Sequence, residues 1–210
     1  MINTEAKIAK ILLETSAVKL SPKYPFKWSS GWNSPIYCDN RAVLSYATHR
    51  AAIKQMLSKK IKDVFADADA IIGVATAGIA MGVLVADEME LSYAYCRPKP
   101  KEHGLKRQLE GKVDKDAKIV VLEDLISTGG SSLKVVEYLR AEGYNVLGMA
   151  AIFTYGFKIA EENFTKANCE CLTLGDYSSL IDEAVKSGYV KEEELSSLAK
   201  WRENPESWGA

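Results

Sequence analysis

The sequence predicts an α/β protein: a central parallel sheet of about five strands flanked by helices, with an N-terminal cap. Three observations carry this. From about residue 70 onward, short apolar runs alternate with helical patterns, the order expected of strands joined by crossover helices. Several of these runs, 118–122 among them, are continuously apolar, as strands covered on both faces must be. The segment before them differs in kind, with prolines, a glycine and aromatics lying between two amphipathic stretches.

Taken in order, residues 3–15 place Ile8, Ile11 and Leu12 at helical spacing, and 46–61 do the same with Ile53, Met56, Leu57 and Ile61. Both predict packing helices. Between them, Pro22, Pro25, Gly31 and Pro35 interrupt 21–44, which reads as turns and short strands. Strands are expected at 70–74, 91–96, 118–122, 145–153 and 171–174. Helices are expected over 79–89 and 132–142, the second closed by Gly143 as a left-handed cap. Residues 175–210 read as two helices ending in a polar run. With no internal repeat or low-complexity linker, the reading is one domain, 1–210: a cap at 1–45, an α/β core at 46–175 and C-terminal helices at 176–210.

Charge and composition exclude several classes. With 27 bases against 28 acids in 210 residues, the chain as a whole has no field that would draw nucleic acid or a membrane surface. No apolar run approaches a membrane span, and the first residues lack the apolar core of a signal peptide, so a cytoplasmic location is expected. Cys169 and Cys171 form a Cys-x-Cys pair, but no second pair accompanies it and His49 and His103 lie far off in sequence. The four cysteines are therefore taken as reduced, mostly buried thiols rather than zinc ligands, and His49 as structural.

The chemistry concentrates in Glu123, Asp124, Leu125, Ile126, Ser127, Thr128, Gly129, Gly130 and Ser131. Two acids at the carboxyl end of a buried strand can accept hydrogen bonds from the vicinal hydroxyls of a ribose. The small and hydroxylated residues after them let backbone N–H groups and the Ser127, Thr128 and Ser131 hydroxyls surround a phosphate at a helix N-terminus. The plainer reading is a polar turn in which Ser131 caps the helix. A second turn, Ala75, Thr76, Ala77 and Gly78, repeats the anion-loop logic after the 70–74 strand, although alone it reads equally as an ordinary strand-to-helix turn. Between residues 97 and 107, Arg97, Lys99, Lys101, Lys106 and Arg107 against Glu102 give a local charge of +4. Pro98, Pro100 and Gly104 exclude a helix or central strand there, leaving an exposed loop.

The Glu123 run resembles the ribose-phosphate motif of type I phosphoribosyltransferases, which bind 5-phosphoribosyl 1-diphosphate (PRPP). Arg97, Lys101 and His103 are similar to the mobile basic loop of the orotate phosphoribosyltransferases, and Phe26, Ser30, Gly31, Ser34, Pro35 and Tyr37 match that family's orotate-side signature. The resemblance implies a type I phosphoribosyltransferase-like fold and transfer of phosphoribose from PRPP to orotate. It assigns Lys101 and His103 to catalysis. It also assigns Arg97, Lys101, His103 and the whole 123–131 run to PRPP, and 75–78 to pyrophosphate. Mg²⁺ is expected as the cofactor, held mainly by PRPP, and a homodimer with active sites shared between subunits is expected as the assembly.

The sequence also departs from the family. Ser29 and Ala77 stand where some members carry lysine, and the stretch around Tyr155 replaces an arginine. The carboxylate of orotate is therefore expected to find other donors, with Ser127, nearby backbone N–H groups and Arg41 as candidates. Tyr37 or Ile36 is expected to cover a face of the pyrimidine, or else to lie in the core. Two rival readings stay open: a purine phosphoribosyltransferase, and a PRPP-sensing regulator of the same fold that binds nucleic acid.

Overall fold

The computed structural model of the protein describes residues 3–28, 30–98 and 108–209. Helix α1 (Thr4–Glu14) is capped by Asn3, whose Oδ1 accepts a hydrogen bond from the Ala6 amide at 2.9 Å. It buries Ile8, Ile11 and Leu12, the residues its spacing singled out. The cap region, or hood, is two small antiparallel ladders. Strand β1 (Val18–Leu20) pairs with β4 (Ile36–Cys38), and β2 (Phe26–Lys27) pairs with β3 (Asn33–Ser34). A 3-10 turn at Asn40–Ser45 leads into helix α2 (Ala47–Val64), which buries Ile53, Leu57 and Ile61.

The core then alternates as expected: β5 (Ala70–Val74), α3 (Gly78–Met89), β6 (Ser92–Cys96), β7 (Leu109–Glu110), β8 (Lys118–Ile126), α4 (Gly130–Ala141), β9 (Asn145–Thr154), α5 (Lys158–Lys166) and β10 (Glu170–Asp176). Helices α6 (Tyr177–Lys186) and α7 (Leu195–Glu203) follow. The six strands lie in the order β10-β9-β8-β5-β6-β7, all parallel except the edge strand β7, which runs antiparallel to β6. Five parallel strands are the five that the sequence predicts.

Both faces are covered, which explains the continuous apolar runs. Ile71, Val120 and Leu122 pack with residues of α1, α2, α3, α6 and α7, while Ile72, Ile119 and Val121 pack with Leu133, Val136 and Leu139 of α4 and Phe164 of α5. Neighbouring residues of one strand thus serve opposite cores. Among the described residues, no helix is long and apolar enough to cross a membrane.

Three details differ from expectation. Strand β8 does not stop at Leu122: β9 keeps pairing with it as far as Ile126↔Thr154, so the two acids lie inside the strand rather than after it. Helix α4 starts at Gly130 rather than 132. Its cap is Gly129 at φ +78° with no side-chain cap bond, so Ser131 does not cap it. Helix α5 and strand β7 have no counterpart in the sequence reading. Helix α5 buries only Ala160 and Phe164, too sparse a stripe to set a helical period, and β7 is two residues long.

Candidate active site

The site forms where the sheet order reverses. Strand β5 pairs with β8 only as far as Gly73↔Leu122, whereas β9 continues beside β8 for four more residues. Residues 123–126 therefore lack a neighbour on one side, and the opened edge faces the turn after β5. This is the crevice in which parallel sheets of this kind hold ligands. The turn approaches so closely that a Cβ on Gly78 would lie 2.5 Å from the Leu122 carbonyl oxygen and 3.4 Å from the Glu123 Cα. Only glycine fits there. The Ala75–Thr76 peptide is cis, and helix α3 begins from Ala77 with no side-chain cap, the Ile79 amide donating to the Thr76 carbonyl at 3.2 Å. Tyr93 on β6 donates its hydroxyl to the Ile79 carbonyl at 2.8 Å and holds this turn from behind.

Glu123 is only 7% exposed. Its Oε2 accepts from the Ser132 hydroxyl at 2.8 Å, and its Oε1 accepts from the Asp124 amide at 3.0 Å. Burial first, and then the charge of Asp124, push the Glu123 carboxyl up to about 8. Burial also raises Asp124, opposed by a side-chain hydrogen bond with Glu123 and by Arg41. From the hood, Asn40 donates its side-chain amide to the Asp124 carbonyl at 2.7 Å, fixing the strand end from the other side.

The turn after the acids is held by helix α5, the helix that the sequence did not reveal. Asn163 donates to the Thr128 carbonyl at 2.9 Å, and the Phe164 ring sits where a Gly129 Cβ would be, 2.7 Å away. Gly129 is thus required twice, by its positive φ and by this contact. Ser127 and Thr128 are half-buried, while Gly130 and Ser131 are exposed at the mouth of the helix.

Beside this turn opens a cavity of about 660 Å³ between hood and core. Lys27, Trp28, Trp32, Tyr37 and Cys38 line it from the hood; Leu125, Ser127, Thr128 and Tyr155 line it from the core. Trp28 stacks on Tyr155 at 5.2 Å between ring centroids and meets Trp201 of α7 edge-on at 5.7 Å. Of the orotate-side candidates, Ser127 and Tyr37 are at this cavity. Ile36 is fully buried in the core. Arg41 is not among the lining residues; its guanidinium is engaged with Asp39, Nε at 2.6 Å and Nη2 at 2.9 Å. Lys27 is the feature that sequence reasoning passed over: attention to lysine at Ser29 hid a lysine two positions earlier, in the two-residue strand β2.

Arg97 sits at the base of the basic segment. Its amide donates to the Gln108 carbonyl at 3.0 Å, its carbonyl accepts from the Gln108 side chain at 2.9 Å, and its Nε lies 3.8 Å from Glu110. The two ends of the segment are therefore held side by side. Lys101 and His103, with Lys99, Glu102, Gly104, Lys106 and Arg107, lie outside the described residues, as does Ser29. The cysteines are free thiols, Cys96 and Cys169 buried and Cys38 and Cys171 half-buried. Among the described residues, no group of three or more His, Cys, Asp or Glu side chains could hold a metal ion.

Comparison with known proteins agrees with this geometry. Residues 43–187 match the family described as the phosphoribosyl transferase domain. The orotate phosphoribosyltransferase of Cytophaga hutchinsonii is 52% identical over 207 residues, covering 99% of each chain. That of Porphyromonas gingivalis is 51% identical over 202 residues, covering 96% of each. Among solved structures, the orotate phosphoribosyltransferase from Aeropyrum pernix superposes with a TM-score of 0.76 at 28% identity, covering 88% of this chain and 99% of its own.

Proposed function

The chain belongs to the orotate phosphoribosyltransferase family, and on that premise we propose that it transfers phosphoribose from PRPP to orotate, giving orotidine 5′-monophosphate and pyrophosphate in pyrimidine biosynthesis. The observation that carries the proposal for this chain is a juxtaposition. An aromatic-walled cavity holding Lys27 opens directly onto Ser127 and Thr128, at the turn that follows the acid pair. A flat anionic base fits the first and a phosphorylated sugar the second.

In this reading the 5-phosphate is held by the backbone and hydroxyls of 127–131 at the N-terminus of α4, and the ribose hydroxyls face Glu123 and Asp124. The pyrophosphate is held by 75–78, joined by Arg97, Lys101 and His103. The reaction is displacement at the anomeric carbon. The chain's task is to hold both reactants in line and to neutralise charge that grows on the departing pyrophosphate. Orotate lies against Trp28, Tyr37 and Tyr155, with its carboxylate toward Lys27 and Ser127. Mg²⁺ would arrive with PRPP and be held mainly by that substrate, where it would offset the charge of the diphosphate, since the ion prefers oxygen ligands and keeps few protein ones.

The deciding experiment is spectrophotometric loss of orotate with and without PRPP, with adenine and hypoxanthine as alternative acceptors. PRPP-dependent orotate loss is expected, and use of a purine in its place would refute the reading. The proposal extends to a homodimer in which Lys101 serves the neighbouring subunit's PRPP. Mixing Lys101→Ala and Asp124→Asn chains, each strongly impaired alone, then leaves one site with both lesions and one with neither. About half of the wild-type activity per dimer should return if the sites are independent. No recovery under subunit exchange would mean that each loop serves its own subunit.

A further inference from the structure

We propose that Ser132, just past the phosphate turn, is a positioning residue for PRPP: its hydroxyl fixes the Glu123 carboxyl in the orientation that meets the sugar. The inference rests on the function proposed above and adds to it a residue that no motif marks. Six polar or charged residues of the described chain are buried: Thr15, Ser34, Asn40, Ser58, Glu123 and Ser132. Three of them, Asn40, Glu123 and Ser132, converge on the end of β8. Burying such groups is costly unless each finds a partner, and here each has one, so their gathering at one strand end marks a place where geometry is fixed by hydrogen bonds.

The bond itself joins the two sides of the phosphate turn. Glu123 is on β8 before the turn, and Ser132, 2% exposed, is in the first turn of α4 after it. The Oγ to Oε2 distance of 2.8 Å closes a ring of chain around residues 124–131, while the Asp124 amide at 3.0 Å holds the other oxygen. With both oxygens fixed and the Gly78 turn packed against the Glu123 Cα, the carboxyl has little rotational freedom left. A carboxylate held this way meets the sugar hydroxyls without first losing side-chain entropy. The same bond ties the strand end to the helix whose N-terminus faces the phosphate, so one hydroxyl sets both the sugar contact and the aperture of the anion turn.

The test is a double-mutant cycle read in separate kinetic constants. Ser132→Ala should raise the KM for PRPP by roughly tenfold, the scale of a lost hydrogen bond to a charged group, and leave the KM for orotate within about twofold. In a Glu123→Gln background the same change should have much less effect, because the bond's purpose is already gone. Ser132→Cys, which keeps a weak donor at similar volume, should fall between wild type and Ala, and it carries the test if the Ala variant folds poorly. The melting shift induced by Mg²⁺ and PRPP without orotate should shrink in step. A wild-type PRPP KM in Ser132→Ala, equal losses for both substrates, or full additivity with Glu123→Gln would each overturn the inference. A wild-type protein whose melting responds to PRPP but which does not consume orotate would refute the proposed reaction while leaving the Ser132 test intact through the melting shift.

Discussion

The two sides of this site, the one proposed for the sugar and the one proposed for the base, are built in opposite ways. The sugar side is nearly continuous in the chain: residues 123–132 supply two acids, a turn, a helix N-terminus and the hydroxyl that latches them. The base side is assembled from pieces about a hundred residues apart, Lys27 and Trp28 from one ladder of the hood against Ser127 and Tyr155 from the core, with Trp201 of α7 behind. A contiguous site inherits its geometry from local hydrogen bonds; an assembled one depends on how separate layers pack. Lesions on the two sides should therefore separate into PRPP and orotate effects.

The largest expected effect is on the sugar side alone. Removing Mg²⁺ with a chelator should abolish orotate consumption, because PRPP loses the counter-charge of its diphosphate, while circular dichroism melting without substrates stays unchanged. A chelator that unfolds the protein would instead reveal a structural metal. Asp124→Asn should then lower kcat/KM for PRPP by at least tenfold, from a charge-assisted bond of roughly 1.5–3 kcal/mol, with the orotate KM little changed. Parallel losses for both substrates would mean that the two sides are not separable.

Lys27→Ala is the counterpart on the base side. Because Lys27 is exposed at the cavity rim, its contact with a carboxylate is expected to contribute only about 1 kcal/mol, so the orotate KM should rise roughly fivefold with the PRPP KM unaltered. Isothermal titration with orotate in the presence of pyrophosphate and Mg²⁺ gives the same comparison without turnover.

The smallest effect sharpens the cost of the sugar side. Glu123 is raised to about 8 by burial and by Asp124, so the folded protein binds more protons than the unfolded chain between about 4.5 and that value. Stability of the substrate-free protein must then fall as pH rises through that window. Glu123→Gln removes the ionisation. It should melt above wild type at pH 8.5 and close to wild type at pH 5. Equal melting at both pH values would show that the carboxyl is not held against ionisation.

The same contrast explains what was legible beforehand. The five parallel strands, the helices α1 to α4 and the two C-terminal helices follow from apolar runs and helical spacing, because each buries a stripe dense enough to impose a period. Helix α5 was not legible: Ala160 and Phe164 alone commit it to the core, yet it carries Asn163 and Phe164, which hold the turn after the two acids. Nor was the end of β8, since only the continued pairing of β9 keeps Glu123 to Ile126 extended. Arg41 shows the converse. Its charge and position marked it for a substrate, and Asp39, two residues before it, takes its guanidinium instead.

By itself, then, the sequence determined the order strand, acids, glycines, helix, because that order is local and each residue type has one physical reason to be there. It also determined the parallel sheet whose crevice receives the motif. Tertiary structure alone decided that Ser132 meets Glu123, that Asn40 reaches from the hood to the Asp124 carbonyl, and that Lys27 joins Trp28 and Tyr155 around one cavity. Such contacts depend on the relative placement of layers whose packing is set by volume and shape across the whole core, and hydrophobic periodicity along the chain carries no record of that placement.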